Sequence, residues 1–570
     1  MECLTFAQNF QICATNHSMT ELPSFNARIE KSIKENWLLD ALTDYKGATL
    51  QYHDVARKIE KLHIMMQAAG IQKGDRVAVC GRNSAHWAVA YLATLAYGAV
   101  IVPVLHEFNA EQIHNIVNHS ESRLLFVGDY VVQQISVSEM PDLKGIFNLS
   151  DFSLYSSNNE QLTYAREHLN EMFGHKYPAA FRQTDIHWHH DSPEELAMIN
   201  YTSGTTGFSK GVMLPYRALS GNVQFAMDHL APKMPRYSNM LSMLPMAHMY
   251  GQAFEFLFPI SAGYHVFFLT RLPSPAIIAE ALQEVKPSLI IAVPLIIEKI
   301  IRKRVFPKIQ SNVIRLLLQM PVVSKKVKER ICNEVYQAFG GQAYEIIIGG
   351  APLNQEIEQF LKSIEFPFTV GYGTTECAPL ISYSDWHTFA SGSCGRCIER
   401  MEVKINSHDA ENVPGEILTR GVHVMQGYYK NEKATRESLD ADGWYHTGDL
   451  ATMDAEGNIF IRGRSKNMLL GASGQNIYPE EIEDKLNSMA LMGECLIVQR
   501  DGKLVALVHP DMDEAKTMGF SSEDIANVME QNRQQLNQIM PVYSKISTIE
   551  IREEEFQKTP KKSIKRYLYN

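Results

Sequence analysis

The stretch Tyr201–Gly211 carries the residue types that bind phosphate groups. Its eleven residues include three glycines, five serine or threonine hydroxyls and one lysine, Lys210. Glycines let backbone N–H groups converge on one point, hydroxyls add donors, and the lysine adds a mobile positive charge. It is not a Walker A loop, because no Gly-Lys-Ser/Thr follows the first glycine at that spacing. A surface turn is the alternative, but this composition directly after the apolar run Leu196–Asn200 favours a polyphosphate site.

Three further stretches carry groups that suit the rest of a nucleotide. Gly371–Glu376 ends on a carboxylate, and Mg²⁺ prefers hard oxygen ligands, usually one or two carboxylates with substrate phosphates. Taken alone, Glu376 is more typical of a solvated side chain. Gly349–Pro352 places two adjacent glycines after an apolar run, which permits a close backbone approach to a flat ring. Asp449, in Tyr445–Asp449, is an acceptor-only group that suits a diol.

The elements that position these groups alternate between strand and helix. Asp54–Gly70 has the pattern of an amphipathic helix, and Arg76–Cys80 that of a buried strand. Continuous apolar strands separated by helices predict a parallel sheet covered on both faces. The remaining predicted elements of this part are strands at 99–104, 123–127, 196–201, 265–269, 288–293, 344–348 and 367–371 and helices at 84–97 and from 110. Residues 141–190 are polar and unpatterned, which predicts loops.

The texture changes after about residue 390. Short apolar runs such as Gly415–Thr419, broken by glycine turns, predict antiparallel β-structure. A last unit begins near Arg464. Its predicted elements are helices at 480–488 and 523–539, the first turn of the latter capped by Ser522, and strands at 495–500, 503–509 and 546–551.

In this order, the motifs resemble those of the adenylate-forming superfamily, which holds acyl-CoA synthetases, adenylation domains and beetle luciferases. The segment 286–299 is most similar to the long-chain fatty acid–CoA ligases. The resemblance implies an α/β fold with a large N-terminal domain of layered, parallel-rich sheets and helices, a small β-subdomain, and a small mobile α+β C-terminal domain. It divides the chain into an uncertain extension at 1–18, a large domain at 19–463 with subdomains at about 19–190, 191–390 and 391–463, and a C-terminal domain at 464–570.

The same resemblance implies a site for ATP, Mg²⁺, a fatty acid and CoA. The residues it assigns to ATP or AMP are Thr202, Ser203, Gly204, Thr205, Thr206, Gly207, Lys210, Gly349, Gly350, Ala351, Gly371, Tyr372, Gly373, Thr374, Asp449, Ile461 and Arg464. It assigns Mg²⁺ to Thr206 and Glu376, and the border of the acyl carboxylate to His248, although a lone histidine is more often a packed core residue. The inter-domain hinge falls at Lys466. The loop lining the thiol entry tunnel is given by Gly471, Ser473, Gly474 and Gln475.

Two positions depart from the superfamily pattern. Phe208 stands where proline is usual, which removes no phosphate ligand. The C-terminal lysine that assists adenylation falls on Ser563, so either Lys562 or Lys565 substitutes through a local shift, with Lys562 favoured, or adenylation is impaired. The predicted activity is the two-step, AMP-forming activation of a medium to long fatty acid to its CoA thioester. The alternatives are an acyl-AMP ligase that loads a carrier protein and a degenerate protein that only binds the nucleotide or acyl-adenylate.

Composition sets outer bounds on these expectations. The 570 residues carry a net charge of −10 and eight cysteines, which excludes a disulfide scaffold and gives no sign of nucleic-acid binding. A cytoplasmic location is predicted. The uncharged stretch Trp87–Leu105 is long enough to span a membrane, but Gly98 and Pro103 favour a buried helix followed by a strand. The basic segment 299–330 is either a solvated face or a peripheral membrane contact. Cys394–Cys397 and His187–His190 lack the partners of a zinc or redox site.

Overall fold

The computed structural model describes residues 12–14, 22–202, 210–271, 274–309, 321–470, 475–500, 502–559 and 564–569. Its largest described sheet has eight strands. The central strands pair in parallel, as the continuous apolar runs predict. In spatial order they are Gly427–Tyr428, Lys210–Pro215, Leu196–Thr202, Val100–Val104, Arg76–Cys80, Ser122–Val127, Gly145–Asn148 and Leu154–Ser157.

Two smaller sheets complete the parallel-rich layers. One consists of Asn239–Ser242, His265–Phe268, Asp40–Asp44 and Thr49–Gln51, the last strand antiparallel. The other consists of Ile290–Ala292, Ile346–Ile348 and Phe368–Val370, all parallel. The carboxyl ends of Ile346–Ile348 and Phe368–Val370 lead to the Gly349 and Gly371 turns. These two turns, which the resemblance assigns to the nucleotide and which are here called the adenine turns, therefore lie at the same edge of one sheet.

Helices cover these sheets. Ala85–Tyr97 is buried along nearly its whole length, and Gly98 ends it at φ +84° before the strand Val100–Val104. This confirms the prediction that Trp87–Leu105 is a helix and a strand. No described helix has the length and apolar character to cross a bilayer. The other helices are Phe25–Glu35, Tyr52–Ala68, Ala110–His119, Asp129–Val132, Glu160–Glu167, Leu169–Lys176, Tyr216–His229, Met249–Gly251, Phe258–Ala262, Pro275–Val285, Pro294–Ile300, Phe306–Ile309, Pro321–Ala338, Gln355–Ser363 and Glu432–Ser438, with π-helical turns at Gln252–Leu257 and Ile301–Val305.

Antiparallel β-structure follows, as the glycine-broken pattern predicts. A three-stranded sheet consists of Tyr372–Gly373, Leu380–Tyr383 and Arg396–Cys397. A five-stranded sheet has the order Ile12–Ala14, Met401–Asn406, Gly415–Gly421, Tyr445–Met453 and Ile459–Arg464.

The last unit has its own hydrophobic core, formed by residues between Ile477 and Ile546. Its elements are the short pair Leu469–Leu470 and Asn476–Ile477, the sheet Met492–Arg500, Lys503–Pro510 and Ile546–Ile551, and the helices Pro479–Asn487, Met512–Met518 and Ser522–Ile539. The mixed α/β architecture, with parallel-rich sheets and a smaller C-terminal unit, agrees with the predicted fold class.

Two local predictions are wrong, and the extension at 1–18, which the sequence left open, contains a strand. Residues 141–190 contain two strands and two helices, because short polar helices such as Glu160–Glu167 dock through only Leu162 and Ala165 and leave little periodicity. Within the extension at 1–18, Ile12–Ala14 is a strand, since its backbone pairs with 402–404. The final long helix is capped by Ser521 rather than Ser522, because the Ser521 hydroxyl and Asp524 form a reciprocal capping box.

Candidate active site

The ends of the phosphate loop are joined by a hairpin. Lys210–Pro215 pairs antiparallel with Leu196–Thr202, so that Lys210 lies opposite Thr202 and Gly211 opposite Tyr201. Of the predicted phosphate ligands, Ser203, Gly204, Thr205, Thr206 and Gly207 lie outside the described residues, as does Phe208. The hairpin therefore places Thr202 and Lys210 side by side at the base of the loop.

Tyr428 connects Lys210 with the predicted magnesium ligand. The Lys210 ammonium lies 4.7 Å from the centre of the Tyr428 ring. The hydroxyl of the same tyrosine donates to Glu376 Oε1 over 2.9 Å. Tyr428 reaches this place because Gly427–Tyr428 pairs with Val212 and Met213 of the hairpin. Tyr428 was not among the predicted site residues, because an aromatic pair after a glycine does not show which residues it will contact.

The turn that carries Glu376 is fixed from two sides. Gly373 packs so closely that a Cβ there would lie 2.1 Å from the carbonyl oxygen of Pro379. Asn222, buried on the helix Tyr216–His229, donates to the carbonyl of Cys377 and accepts from the N–H of Leu380. These contacts hold the short helix Thr375–Cys377, and with it the half-buried Glu376 carboxylate, in one position. Thr374, before the helix, bonds its N–H to the Pro379 carbonyl.

The donor set around Glu376 fits a magnesium ion. Glu376 presents a half-buried carboxylate near Lys210 and Tyr428. In nucleotide sites Mg²⁺ takes one or two protein carboxylates and completes its coordination shell with water and phosphate oxygens. In the described residues no group of three histidine, cysteine, aspartate or glutamate side chains forms a closed metal cage. The arrangement suits a metal brought by a polyphosphate.

Asp449 forms a second, more enclosed centre. Its side chain is 7% exposed, and Oδ1 lies 3.0 Å from Nε of Arg464. Tyr372 donates its hydroxyl to Oδ2 over 2.7 Å. Burial raises the pKa of the Asp449 carboxyl, opposed by the charge of Arg464 and the Tyr372 hydrogen bond. The carboxylate, in turn, raises the pKa of Arg464. Cross-strand register creates this pair, because Asp449 lies directly opposite Arg464 in the antiparallel sheet.

The predicted adenine turns meet at the parallel strands. Gly371 donates its N–H to the carbonyl of Ile348, and Gly349 donates to Ala292. Gly350 has φ +85°, which favours glycine, and Ala351 follows it at the exposed surface. Ile461 packs against the main core from the strand Ile459–Arg464.

Tyr250 links the Gly349 turn to residues 244–251, here called the acyl segment because it contains His248, the residue assigned to the border of the acyl carboxylate. A Cβ on Gly349 would lie 3.1 Å from the Tyr250 ring, and the Tyr250 hydroxyl donates to the carbonyl of Ile347 over 2.9 Å. His248, two residues earlier, is half-buried and begins the helix Met249–Gly251. The acyl segment 244–251 therefore packs, through Tyr250, directly against the Gly349 adenine turn.

Buried polar side chains support the acyl segment from below. Glu255, fully buried on the π-helical turn, accepts from the N–H groups of Met243 and Leu244. Burial raises the pKa of this carboxyl well above its ordinary range. Asn83 and Asn200 bond to backbone groups of the same segment. None of these three residues was predicted, because the sequence does not show which side chains will bond to the backbone of the acyl segment.

The C-terminal candidates are only partly described. Lys466 lies in the short helix Ser465–Asn467, where burial and the charge of Arg464 lower its pKa. Gln475 is exposed, whereas Gly471, Ser473, Gly474, Lys562 and Ser563 lie outside the described residues. Lys565 is half-buried, and no hydrogen bond or ion pair of the described residues joins it to Lys210, Glu376 or Asp449. Its neighbour Arg566 pairs with Glu483.

The cysteine and histidine stretches have structural contacts. Cys394 and Cys397 are buried, and their thiols donate to the carbonyls of Ile459 and Met401. Burial raises the pKa of Cys394 to about 12, which makes it a poor nucleophile. Trp188 donates to Glu60, and His189 lies 2.7 Å from Glu195.

Curated proteins of similar sequence are named as acyl-CoA ligases or synthetases. The curated long-chain-fatty-acid–CoA ligase ACSBG2 of Rattus norvegicus is 27% identical over 487 residues, 80% of this chain and 71% of that protein. The peroxisomal long chain acyl-CoA synthetase 6 of Arabidopsis thaliana is 29% identical over 512 residues, 84% of this chain and 70% of that protein.

Solved structures share the fold. ATP-bound MatB from Rhodopseudomonas palustris gives a TM-score of 0.73 at 20% identity and covers 96% of this chain and 97% of its own. The anthranilate CoA ligase AuaEII in complex with anthranoyl-AMP gives 0.75 at 18% identity, with coverage of 96% and 97%. The model of the AMP-binding enzyme family matches residues 30–429, and that of the AMP-binding enzyme C-terminal domain matches 466–569. The chain, in which Tyr428 contacts both Lys210 and Glu376 and Asp449 pairs with Arg464, belongs to the AMP-binding enzyme family.

Proposed function

We propose that the protein is an AMP-forming fatty acid–CoA ligase acting on medium to long acyl chains. The observation that carries this proposal is the close approach of the Tyr250 ring to Gly349, because it makes residues 244–251 neighbours of the Gly349 turn. A carboxylate and ATP would thus meet at one place. The similarity to curated long-chain ligases supports the choice of acyl group.

In the first step a carboxylate oxygen of the fatty acid bonds to the α-phosphorus of ATP, and pyrophosphate leaves. Lys210, with the loop from Thr202 to Gly207, would hold the phosphates. Mg²⁺, held by Glu376 and Thr206 with the phosphate oxygens, would supply charge neutralisation there. Asp449 would accept the ribose hydroxyls, and Arg464 would orient that carboxylate. Such chemistry depends on positioning and electrostatic stabilisation, so no protein nucleophile is needed.

In the second step the thiol sulfur of CoA bonds to the acyl-adenylate carbonyl, and AMP leaves. The C-terminal unit from about residue 464 would turn about Lys466 between the two steps, bringing the 471–475 loop to line the thiol path. His248 would border the acyl carboxylate from the start of the helix Met249–Gly251.

One assay tests the proposal. The purified protein is incubated with ATP, Mg²⁺, CoA and a ladder of carboxylates from acetate to long-chain acids, with thioester, AMP and pyrophosphate measured. Acyl-CoA with stoichiometric AMP on medium to long acids is the expected result. AMP release only with a phosphopantetheinyl carrier protein would favour the carrier-loading alternative. Nucleotide binding without turnover on any acid would contradict catalysis.

A further inference from the structure

Tyr428 touches two charged groups with two different parts of one side chain. Its hydroxyl donates to Glu376, and its ring faces the Lys210 ammonium. The residue is 6% exposed, whereas Lys210 and Glu376 are only half-buried and keep access to water. The opposite charges of Lys210 and Glu376 are not joined directly, since no ion pair within 4.0 Å connects these two described residues.

We propose that Tyr428 is a positioning residue that orients the Glu376 carboxylate for the metal while holding the Lys210 ammonium available for phosphate. This inference rests on the proposed function and deepens it. A hydrogen bond to one carboxylate oxygen fixes the rotation of the group and leaves the other oxygen for the metal, as outer-shell donors do in metal sites. A ring attracts an ammonium more weakly than a carboxylate would. The lysine therefore stays near the site without being neutralised.

The backbone around Tyr428 supports such a role. Its N–H donates to the Thr435 hydroxyl, and its strand is locked to the hairpin that ends in Lys210. Glu376 is tied to the same segment, because its carbonyl accepts from the N–H of Met425. The three residues thus form one unit from three separate stretches of chain.

Two substitutions separate the two contacts. Tyr428→Phe removes the hydroxyl and keeps the ring, and Tyr428→Leu removes both. Tyr429→Phe is the matched control, because the neighbouring tyrosine also donates its hydroxyl to a carboxylate, that of Glu121, away from the site. Mn²⁺ binding in the presence of α,β-methylene-ATP, followed by electron paramagnetic resonance, reports on the metal without requiring turnover. Thermal unfolding of each variant confirms folding.

Tyr428→Phe should weaken Mn²⁺ binding about tenfold, the lower range for loss of an outer-shell partner. Tyr428→Leu should lower affinity for the nucleotide analogue by a further two- to fivefold, as expected for an exposed cation–π contact. In a Glu376→Gln background, Tyr428→Phe should have no further effect on Mn²⁺. Unchanged Mn²⁺ affinity in Tyr428→Phe, or an equal loss in Tyr429→Phe, would overturn the proposal. Absence of acyl-CoA formation by the unsubstituted protein would refute the proposed function, while this binding test would still decide the role of Tyr428.

Discussion

Glu376 and Asp449 are two site carboxylates held in opposite ways. Glu376 is half-buried, bonds to a neutral tyrosine hydroxyl, and has its nearest site cation across an aromatic ring. Asp449 is buried and pairs directly with Arg464 at 3.0 Å. The first arrangement leaves negative charge for a cation that arrives with substrate. The second pairs a buried carboxylate with a cation of the protein itself, which holds it in place as a hydrogen-bond acceptor.

Glu376→Gln gives the largest effect expected from this comparison. An amide keeps the shape but cannot offer the charge, so turnover should fall by roughly 10²-fold or more, as for loss of other electrostatic stabilisers. Steady-state acyl-CoA formation measures it. Glu402→Gln is the control, because that carboxylate pairs with Arg420 on the antiparallel sheet. Unchanged turnover in Glu376→Gln would remove the magnesium assignment.

A lysine near the C-terminus would add a positive charge for the adenylation step. Lys562→Ala should lower the rate of the adenylation step about tenfold or more, because a charge facing the phosphates is lost. Lys565→Ala should change it by less than about threefold, since the next residue is anchored on Glu483. Pyrophosphate exchange into ATP measures this step alone. Full activity in both variants would exclude both lysines.

Asp449→Asn tests the fixed acceptor. The amide offers one acceptor instead of two, and Arg464 loses its partner, so the KM for ATP should rise about tenfold, in line with a charged hydrogen bond. The preference for ATP over 2′-deoxy-ATP should shrink in the same variant. If the preference keeps its unsubstituted value, Asp449 does not contact the ribose.

The KM for ATP should depend on pH through Asp449. Because burial raises the pKa of Asp449, the group gains a proton at a higher pH than an ordinary aspartate as the solution is acidified. The KM for ATP should therefore rise as pH falls from neutral toward the raised pKa. Asp449→Asn should abolish this slope. A slope that persists in the variant would assign it to another group.

The smallest expected effect concerns the turn that holds Glu376. Gly373→Ala forces a Cβ against the Pro379 carbonyl and should lower the free energy of unfolding by about 1–3 kcal/mol. Gly174→Ala is the matched control, because a Cβ there meets nothing within 4 Å inside the helix Leu169–Lys176. Denaturant unfolding compares them. Equal free energies of unfolding for the two variants would show that the turn accommodates the added methyl group without loss of stability.

Most parallel strands were predictable from the sequence because buried strands of a parallel sheet are continuous apolar runs, whereas their order within the sheets was not predicted. Candidate site residues could be proposed from the sequence only where residue type and spacing suggest the chemistry, as at Lys210, Glu376 and Asp449. Tyr428, Asn222 and Asn83 were not, since their roles depend on contacts between distant stretches. The helices between 160 and 176 were missed because few of their residues are buried.

The contact between Tyr250 and Gly349 has a thermodynamic consequence. One side chain borders both the acyl segment and the adenine turn, so a carboxylic acid that shifts Tyr250 must change the affinity for ATP. Linkage then requires ATP to change the affinity for that acid by the same factor. The stability of the ternary complex would therefore not depend on the order in which the two substrates bind. The affinity measured for either substrate would change when the other is bound.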